Sequence, residues 1–467
     1  MSRINTNVTS LIAQRVLQRN NSQVSTSLER LSTGLRINRG SDNPAGLIAS
    51  ENLRAEKAGL TQAIDNAQRA SNLIGTAEGG LSEVSALLTE IQSLANQAAN
   101  TGGLSSDEIA ANQLQVDSIL STINRIAQST SFEGKKLLNG NYDYTTDTPT
   151  NAANVRVNAA RIPDGGTVAV AIDVTTSAQT AHVGKVGVAA DNITIEVAGN
   201  QGSEQLTFAT GTTAAQMQTA INAVKTATGV SASLSATDLR MDSVAFGSDQ
   251  FVSVKVISGT WATVGGTGGK DYGLDAVVKV NGATAAVKGM EVSFRNSNLD
   301  VEFSLTAASN VTNGTGTFTI TGGGATFALG SKVTETDKAA IGMASVSTSS
   351  LGDSTNGYLA TLGTGGANSL SSTNLVTSQR IIDKAIKQVA NLRGRLGAFQ
   401  RFAIGSTVNS LGVALENASA AESAIRDTDF ASETAALTRS QILSQAATTV
   451  LAQANATPQN ALALLRG

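Results

Sequence analysis

The chain has 467 residues, a formal net charge of −3, no cysteine, a single histidine and only 3 % aromatic residues. Lack of cysteine removes disulfides, thiolate nucleophiles and Cys-based metal sites together, and without a Lys/Arg cluster there is no counterion-release term for nucleic acid or an anionic membrane surface. The length gives a prior of about three domains, and a palette of Ala, Ser, Thr, Asn and Gly suits thin, closely packed helices better than large pockets.

The first segment, to Arg39, is amphipathic. Ile4, Val8 and Leu11 share one helical phase and Leu17, Val24, Leu28, Leu31 and Leu35 another, with a slip between them. Gly34 and Gly40 then break the helix, and Asn43-Pro44 restarts it as N-cap and first-turn proline. Arg36, Asn38, Asp42 and Pro44 fall in this joint. From Leu60 an unbroken three-four rhythm runs through Ala63, Ala67, Ala70, Ile74, Ala77, Leu81, Val84, Leu88, Ile91, Ala95 and Ala98, which predicts a coiled-coil rod. Gly75, Gly79 and Gly80 lie inside it, each costing a helix about 1 kcal/mol. Thr101-Gly102-Gly103 turns the chain. Ser105 with Glu108 forms a capping box for a helix striped by Ile109, Val116, Ile119, Ile123 and Ile126.

After Phe132 the period changes to two. Val168, Val170, Ile172 and Val174 alternate with small residues, as do Ile193, Ile195 and Val197, and then Val252, Val254 and Val256, so half-buried strands are expected. Thr213 caps a short helix with Met217, Ala220, Ile221 and Val224 inward and Gly229 at its close. Asn281-Gly282 signals a hairpin, Val301, Phe303 and Leu305 another strand, and the Gly/Ser/Thr-rich residues 322–374 read as loops. The helical period returns with Leu375, Ile382, Ala385, Val389, Leu392, Leu396, Phe399 and Ala403, Ser378 alone being out of type. A last amphipathic stretch carries Leu443, Ala447, Val450 and Ala454 before Pro458, Leu462 and Leu465. The expected fold is α+β: N- and C-terminal helices paired as an antiparallel coiled-coil rod, with a central β-rich insert.

No constellation for catalysis or a cofactor is expected. His182 reads as a loop histidine in solvent, the glycine runs at 266–269 and 322–324 as turns, and Asp427 with Asp429 as helix-start charges. The start of the chain lacks an apolar h-region, so no cleavable secretory signal is expected, and no run reaches the roughly 18 apolar residues of a spanning helix. Two terminal helices leave much of each apolar surface wet, and the entropy of ordering them exceeds what the pair alone buries. Such a pair becomes ordered when neighbouring copies cover the remaining faces.

The run Leu31-Ser32-Thr33-Gly34-Leu35-Arg36-Ile37-Asn38 with Asp42, Ala45 and Gly46 is similar to the N-terminal signature of bacterial flagellin. Ala424-Ile425-Arg426-Asp427-Thr428-Asp429-Phe430-Ala431-Ser432-Glu433-Thr434, Gln441-Ile442-Leu443 and Pro458-Gln459-Asn460 resemble that family's C-terminus. Thr212 to Val230 with its flanking strands resembles the inserted module of many flagellins and hook-associated proteins. The resemblance implies three layers: residues 1–42 with 428–467 as inner-tube helices, 43–182 with 322–427 as a helical rod carrying a β-hairpin region, and 183–321 as an outer β-rich domain. It implies a homopolymeric, extracellular filament for swimming, unfolded export through the flagellar type III apparatus, cap and hook-associated proteins as partners, and a chaperone on the C-terminal helix. Nucleic acid and membrane insertion are not expected. A hook-filament junction protein and a filament subunit with an adhesive outer domain are the alternatives. In flagellins sensed by an animal Toll-like receptor, an arginine precedes the positions matching Leu94 and Gln97. Glu90 stands there instead, which implies weak activation of that receptor. Asn43-Pro44 departs from the acidic or alanine residues usual at the joint.

Overall fold

The computed structural model describes residues 6–466 apart from 101–102, 164, 186–188, 190, 236–237 and 373, and only the backbone of 263–264 and 458–466. Its helices are α1 (Val8–Thr33), α2 (Pro44–Ala98), α3 (Ser106–Ser129), α4 (Ala214–Ala223), α5 (Lys225–Thr228), α6 (Leu375–Ala398), α7 (Ser406–Arg426) and α8 (Phe430–Arg466). Two compact units result. One gathers Met1–Gln68, Ala328–Asp337 and Ile404–Gly467, the other Arg69–Phe327 and Lys338–Ala403.

In the first unit the helix boundaries follow local chemistry. Gly34, at φ 74°, closes α1 in the left-handed conformation and donates its N–H to Arg30. Asn43 Oδ1 accepts the N–H of Gly46 at 2.9 Å, so the side chain before Pro44 caps α2. In the second unit every residue of the α2 seam from Ala70 to Ala98 is buried, as are Val116, Ile119 and Ile123 on α3. The capping box of Ser105 and Glu108 is formed in both directions. Gln92 bonds Asp383 at 2.9 Å, Glu78 pairs with Arg393 at 3.3 Å and Ser71 accepts from Gln400 at 2.8 Å, so α6 lies antiparallel to α2.

The α6 seam differs from its expected course at its end. Ser378, Ile382, Ala385, Val389, Leu392 and Leu396 are buried, but Phe399 and Ala403 are only half-buried. A π-helical turn, Phe399–Gly405, inserts one residue, so the buried position after Leu396 falls on Ile404, and Val408, Leu411, Leu415 and Ala418 continue from there.

The strands form antiparallel sheets around two cores. One five-stranded sheet runs in the order Ala283–Thr284, Val277–Val280, Val168–Thr176, Gly314–Gly323, Tyr144–Thr146, and a four-stranded sheet in the order Ala286–Lys288, Glu291–Arg295, Leu299–Leu305, Ala152–Ala160. Val170, Ile172, Val174, Val301, Phe303 and Phe318 share their core. Residues 181–261 build the other around Ile195, Met217, Ile221 and Trp261, with α4 packed on its strands. The expected outer-domain bounds at 183 and 321 fall inside the strands His182–Lys185 and Gly314–Gly323. Asn281 and Gly282, both at positive φ, make the tight hairpin turn between Val280 and Ala283.

Three local expectations are corrected. Val256 is exposed, because the strand that covers Phe251 to Ser253 ends there and the register slips after Val256. His182 is the first residue of a strand, paired with Asp242, and its Nδ1 lies 3.5 Å from Asp271. Residues 322–374 are not all loop: Gly352–Asp353 pairs with Gly357–Tyr358, and Leu351, Leu359, Leu362 and Leu370 are buried.

Candidate assembly surface

The two chain ends meet along α1 and α8. On α1 the buried positions are Ser10, Ala13, Asn20 and Ser27, with Leu17, Val24 and Leu31 half-buried. On α8 they are Ser440, Ala447 and Ala454, with Leu437, Ser444 and Leu451 half-buried. Both sets step by threes and fours, the repeat of a coiled-coil seam. Its small residues allow Cα atoms of the two helices to approach within 8 Å. Asn7 Nδ2 donates to the Ala454 carbonyl at 2.8 Å, Ser444 Oγ to Asn21 Oδ1 at 2.8 Å, and Arg30 pairs with Glu433 at 3.5 Å. These links run the two helices antiparallel, the start of α1 beside Ala454 and its end beside Glu433. The Asn7 bond also answers a defect in α8. Pro458 has no N–H to give the carbonyl four residues back, and that carbonyl is Ala454's.

Other large apolar side chains lie off the seam. Val8, Leu11, Leu28, Leu443 and Val450 are between 46 and 58 % exposed. Ile12 and Val16, which the sequence reading did not single out, are exposed as well, and so is Ile442. Val8, Ile12 and Val16 recur every four residues, a stripe of their own. Leu35 is half-buried in the joint. Ile4 lies outside the described residues, and so do the side chains of Leu462 and Leu465. Of the seam, the sequence pattern showed Leu17, Val24, Leu31, Ala447 and Ala454, whereas Ser10, Ala13, Asn20, Ser27 and Ser440 were missed because a scan for large apolar residues gives them no weight. Their signal is the seven-residue spacing of Ala13, Asn20 and Ser27, matched by Ser440, Ala447 and Ala454.

In the joint, Asp42 Oδ2 accepts the N–H groups of Arg39 at 2.9 Å and Asn38 at 3.0 Å, which hold its carboxyl below the ordinary value. Glu51 is likewise held low, chiefly by its bond to Arg54 and then by Arg426. Arg36 reaches the end of α7, and Asn38 Nδ2 donates back to Leu35 O. Asp429 Oδ1 accepts from Ala431 and Ser432 at the start of α8. Of the remaining candidate positions, Leu60, Leu81, Val84, Leu88 and Ile91 are buried in α2 with Ile74. Glu90 and Gln97 are exposed, Leu94 is buried, and Gln97 accepts from Asn112 at 3.4 Å. A polar cleft of about 560 Å³ lies between α6 and the strands from Ala286 to Ser304. Lys384 on its wall pairs with Glu291 at 3.2 Å and approaches Asp353 at 3.9 Å. Among the described residues no group of three or more His, Asp or Glu is placed to hold a metal ion, and no helix is long and apolar enough to cross a membrane.

Long helices that return on each other, β modules lying between them in the sequence, and large apolar side chains left open on the terminal pair define a structural subunit of the self-assembling kind. Comparison with known proteins agrees. The family model for the bacterial flagellin N-terminal helical region matches residues 4–143, that for the C-terminal helical region residues 379–465, and the flagellin hook IN motif residues 192–245. The polar flagellin B/D of Vibrio parahaemolyticus is 31 % identical over 463 residues, and flagellin D of Vibrio anguillarum 31 % identical over 465, each alignment covering 99 % of both chains. Among solved structures, FliC from Burkholderia pseudomallei is similar at 19 % identity and a TM-score of 0.24, over 71 % of this chain and 99 % of that one. The chain belongs to the bacterial flagellin family, the structural subunits of the flagellar filament of motile bacteria.

Proposed function

We propose that this chain polymerises into a swimming filament through the apolar stripe that α1 and α8 leave open. One observation carries the reading: the terminal helices spend their small residues on each other and keep Val8, Leu11, Leu28, Leu443 and Val450 in solvent. Exposed apolar side chains of that kind are covered when copies pack, and packing then completes the folding of the ends. In the filament, 1–42 with 428–467 line the inner tube, 43–182 with 322–427 form the rod layer, and 183–321 point outward. The chain travels unfolded through the flagellar type III apparatus, adds beneath a cap protein, and adjoins hook-associated proteins at the filament base. Before export a chaperone shields Leu443 to Leu465. The cysteine-free sequence suits that unfolded passage.

Leu28→Asp and Leu443→Asp test the reading. Both positions are about half exposed in the subunit, so each variant folds with a stability change of about 0.5 kcal/mol or less. A carboxylate buried between copies without a partner costs several kcal/mol. Sedimentation and negative-stain microscopy should therefore find folded, unpolymerised subunits; normal fibres from either variant would refute the proposed interface.

A further inference from the structure

Within the unit made by the chain ends, the connector after α1 and the connector before α8 run side by side. Arg36 donates its N–H to Arg426 O at 2.7 Å, Thr428 donates to Gly34 O at 2.9 Å, and Leu35 bridges Asp427 in antiparallel fashion. An α-helix leaves its last four carbonyls without intrahelical partners. At the end of α7 the Arg36 guanidinium takes two of them, Nη2 donating to Ala424 O at 3.1 Å and Ile425 O at 2.6 Å. Arg426 continues the chain of contacts to α2 through Glu51 at 2.9 Å, and Lys57 pairs with Glu422 at 2.8 Å. Next to Arg36, Ile37 is buried against the first turn of α2. A Cβ on Gly46 would come within 2.7 Å of its Cδ1, so the glycine makes the room Ile37 occupies.

We propose that Arg36 is a positioning residue that clamps the N- and C-terminal connectors into one body, so that the terminal helix pair cannot move against the first turns of α2 and the end of α7 separately. A cation suits this place twice over, since its charge meets the negative end of the α7 dipole and its N–H groups fill the open carbonyls. The backbone ladder beside it is too short to hold alone. With the clamp closed, a twist applied to the terminal pair reaches α2 and α7 together, which is what a torque-bearing polymer needs where its terminal helices meet the following ones. The inference deepens the filament reading and rests on it for the setting of the test.

Hydrogen exchange in filaments of the wild type, R36M and R36K decides the matter. Methionine keeps the aliphatic stem without donors or charge, while lysine keeps the charge and a donor. In R36M filaments the amides of residue 36 and Thr428 should exchange about tenfold faster, and in R36K within about threefold of wild type, while amides in the α1–α8 seam stay unchanged. Polymerisation lost in R36M but kept in R36K also supports the clamp. R36M filaments that protect both amides like wild type, or loss of polymerisation in both variants, overturn it. If the wild-type chain itself forms no filaments, the subunit reading fails and not the clamp.

Discussion

Single residues show how this chain trades helix propensity for close approach. Gly75, Gly79 and Gly80 sit in the middle of α2, where each lowers helix stability by about 1 kcal/mol relative to alanine, yet they differ in surroundings. A Cβ at Gly75 or Gly79 would meet nothing within 4 Å, whereas one at Gly80 would lie 2.7 Å from Thr130 Oγ1 and 2.9 Å from Leu138 Cδ1. Gly75→Ala should therefore raise stability by about 0.5 to 1 kcal/mol, and Gly80→Ala should lower it by about 1 to 3 kcal/mol through overpacking. Urea titration followed by circular dichroism at the helix band checks both. Equal shifts in the same direction would show that propensity, not the approach of Thr130 and Leu138, governs this stretch. Pro458 and Asn7 make the complementary point, since a residue that cannot donate is tolerated because a side chain from the other end of the sequence donates in its place.

At the scale of elements, legibility followed the size of the side chains that carry the pattern. The α2 seam could be read residue by residue because Leu, Ile, Val and Ala recur without a break and all face inward. Strands with strict alternation, such as Val168 to Val174, were equally plain. The α1–α8 seam was legible only in part: Leu17, Val24, Leu31, Ala447 and Ala454 carry the rhythm, but Ser10, Asn20, Ser27 and Ser440 fill buried places in it, so a hydrophobic scan mixes the pairing face with the open positions Val8, Leu11 and Leu28. The π turn at Phe399–Gly405 was hidden for another reason: an insertion of one residue leaves Phe399 and Ala403 in a plausible heptad, and only the burial of Ile404 betrays the shift. The caps at Asn43, Ser105 and Thr213 were legible, that of Asn7 on α1 was not, and that of α4 invites a test. Thr213 accepts from the Gln216 amide while Gln216 Oε1 accepts from Thr213 at 3.0 Å, closing the box. Thr213→Ala should cost about 0.5 to 2 kcal/mol. Trp261, the chain's one tryptophan, is buried in the same core, so its fluorescence in a denaturant titration reports on this module. An unmoved tryptophan transition would mean that α4 is held by packing alone.

For the whole molecule the question is when the ends become ordered. Among the described residues the buried apolar side chains of the α1–α8 pair are Ala13, Ala447 and Ala454, and the leucines of the seam are only half covered. Methyl groups of that number bury little area, while each ordered residue gives up about 1 to 2 kcal/mol of backbone entropy. The second unit stands differently, with long runs of Leu, Ile and Val at or near complete burial. Local opening follows burial, so the two should separate cleanly in hydrogen exchange. In a dilute subunit the amides of α1 and α8 should exchange close to the unfolded rate while those of α2 from Ile74 to Ile91 stay protected. In the polymer both sets should be protected, because neighbouring copies then cover Val8, Leu11, Leu28, Leu443 and Val450 and assembly supplies the missing free energy of folding. Full protection of α1 and α8 in the dilute subunit would show that the small-residue seam suffices by itself, and that the open stripe stabilises contacts between copies without ordering the helices that carry it.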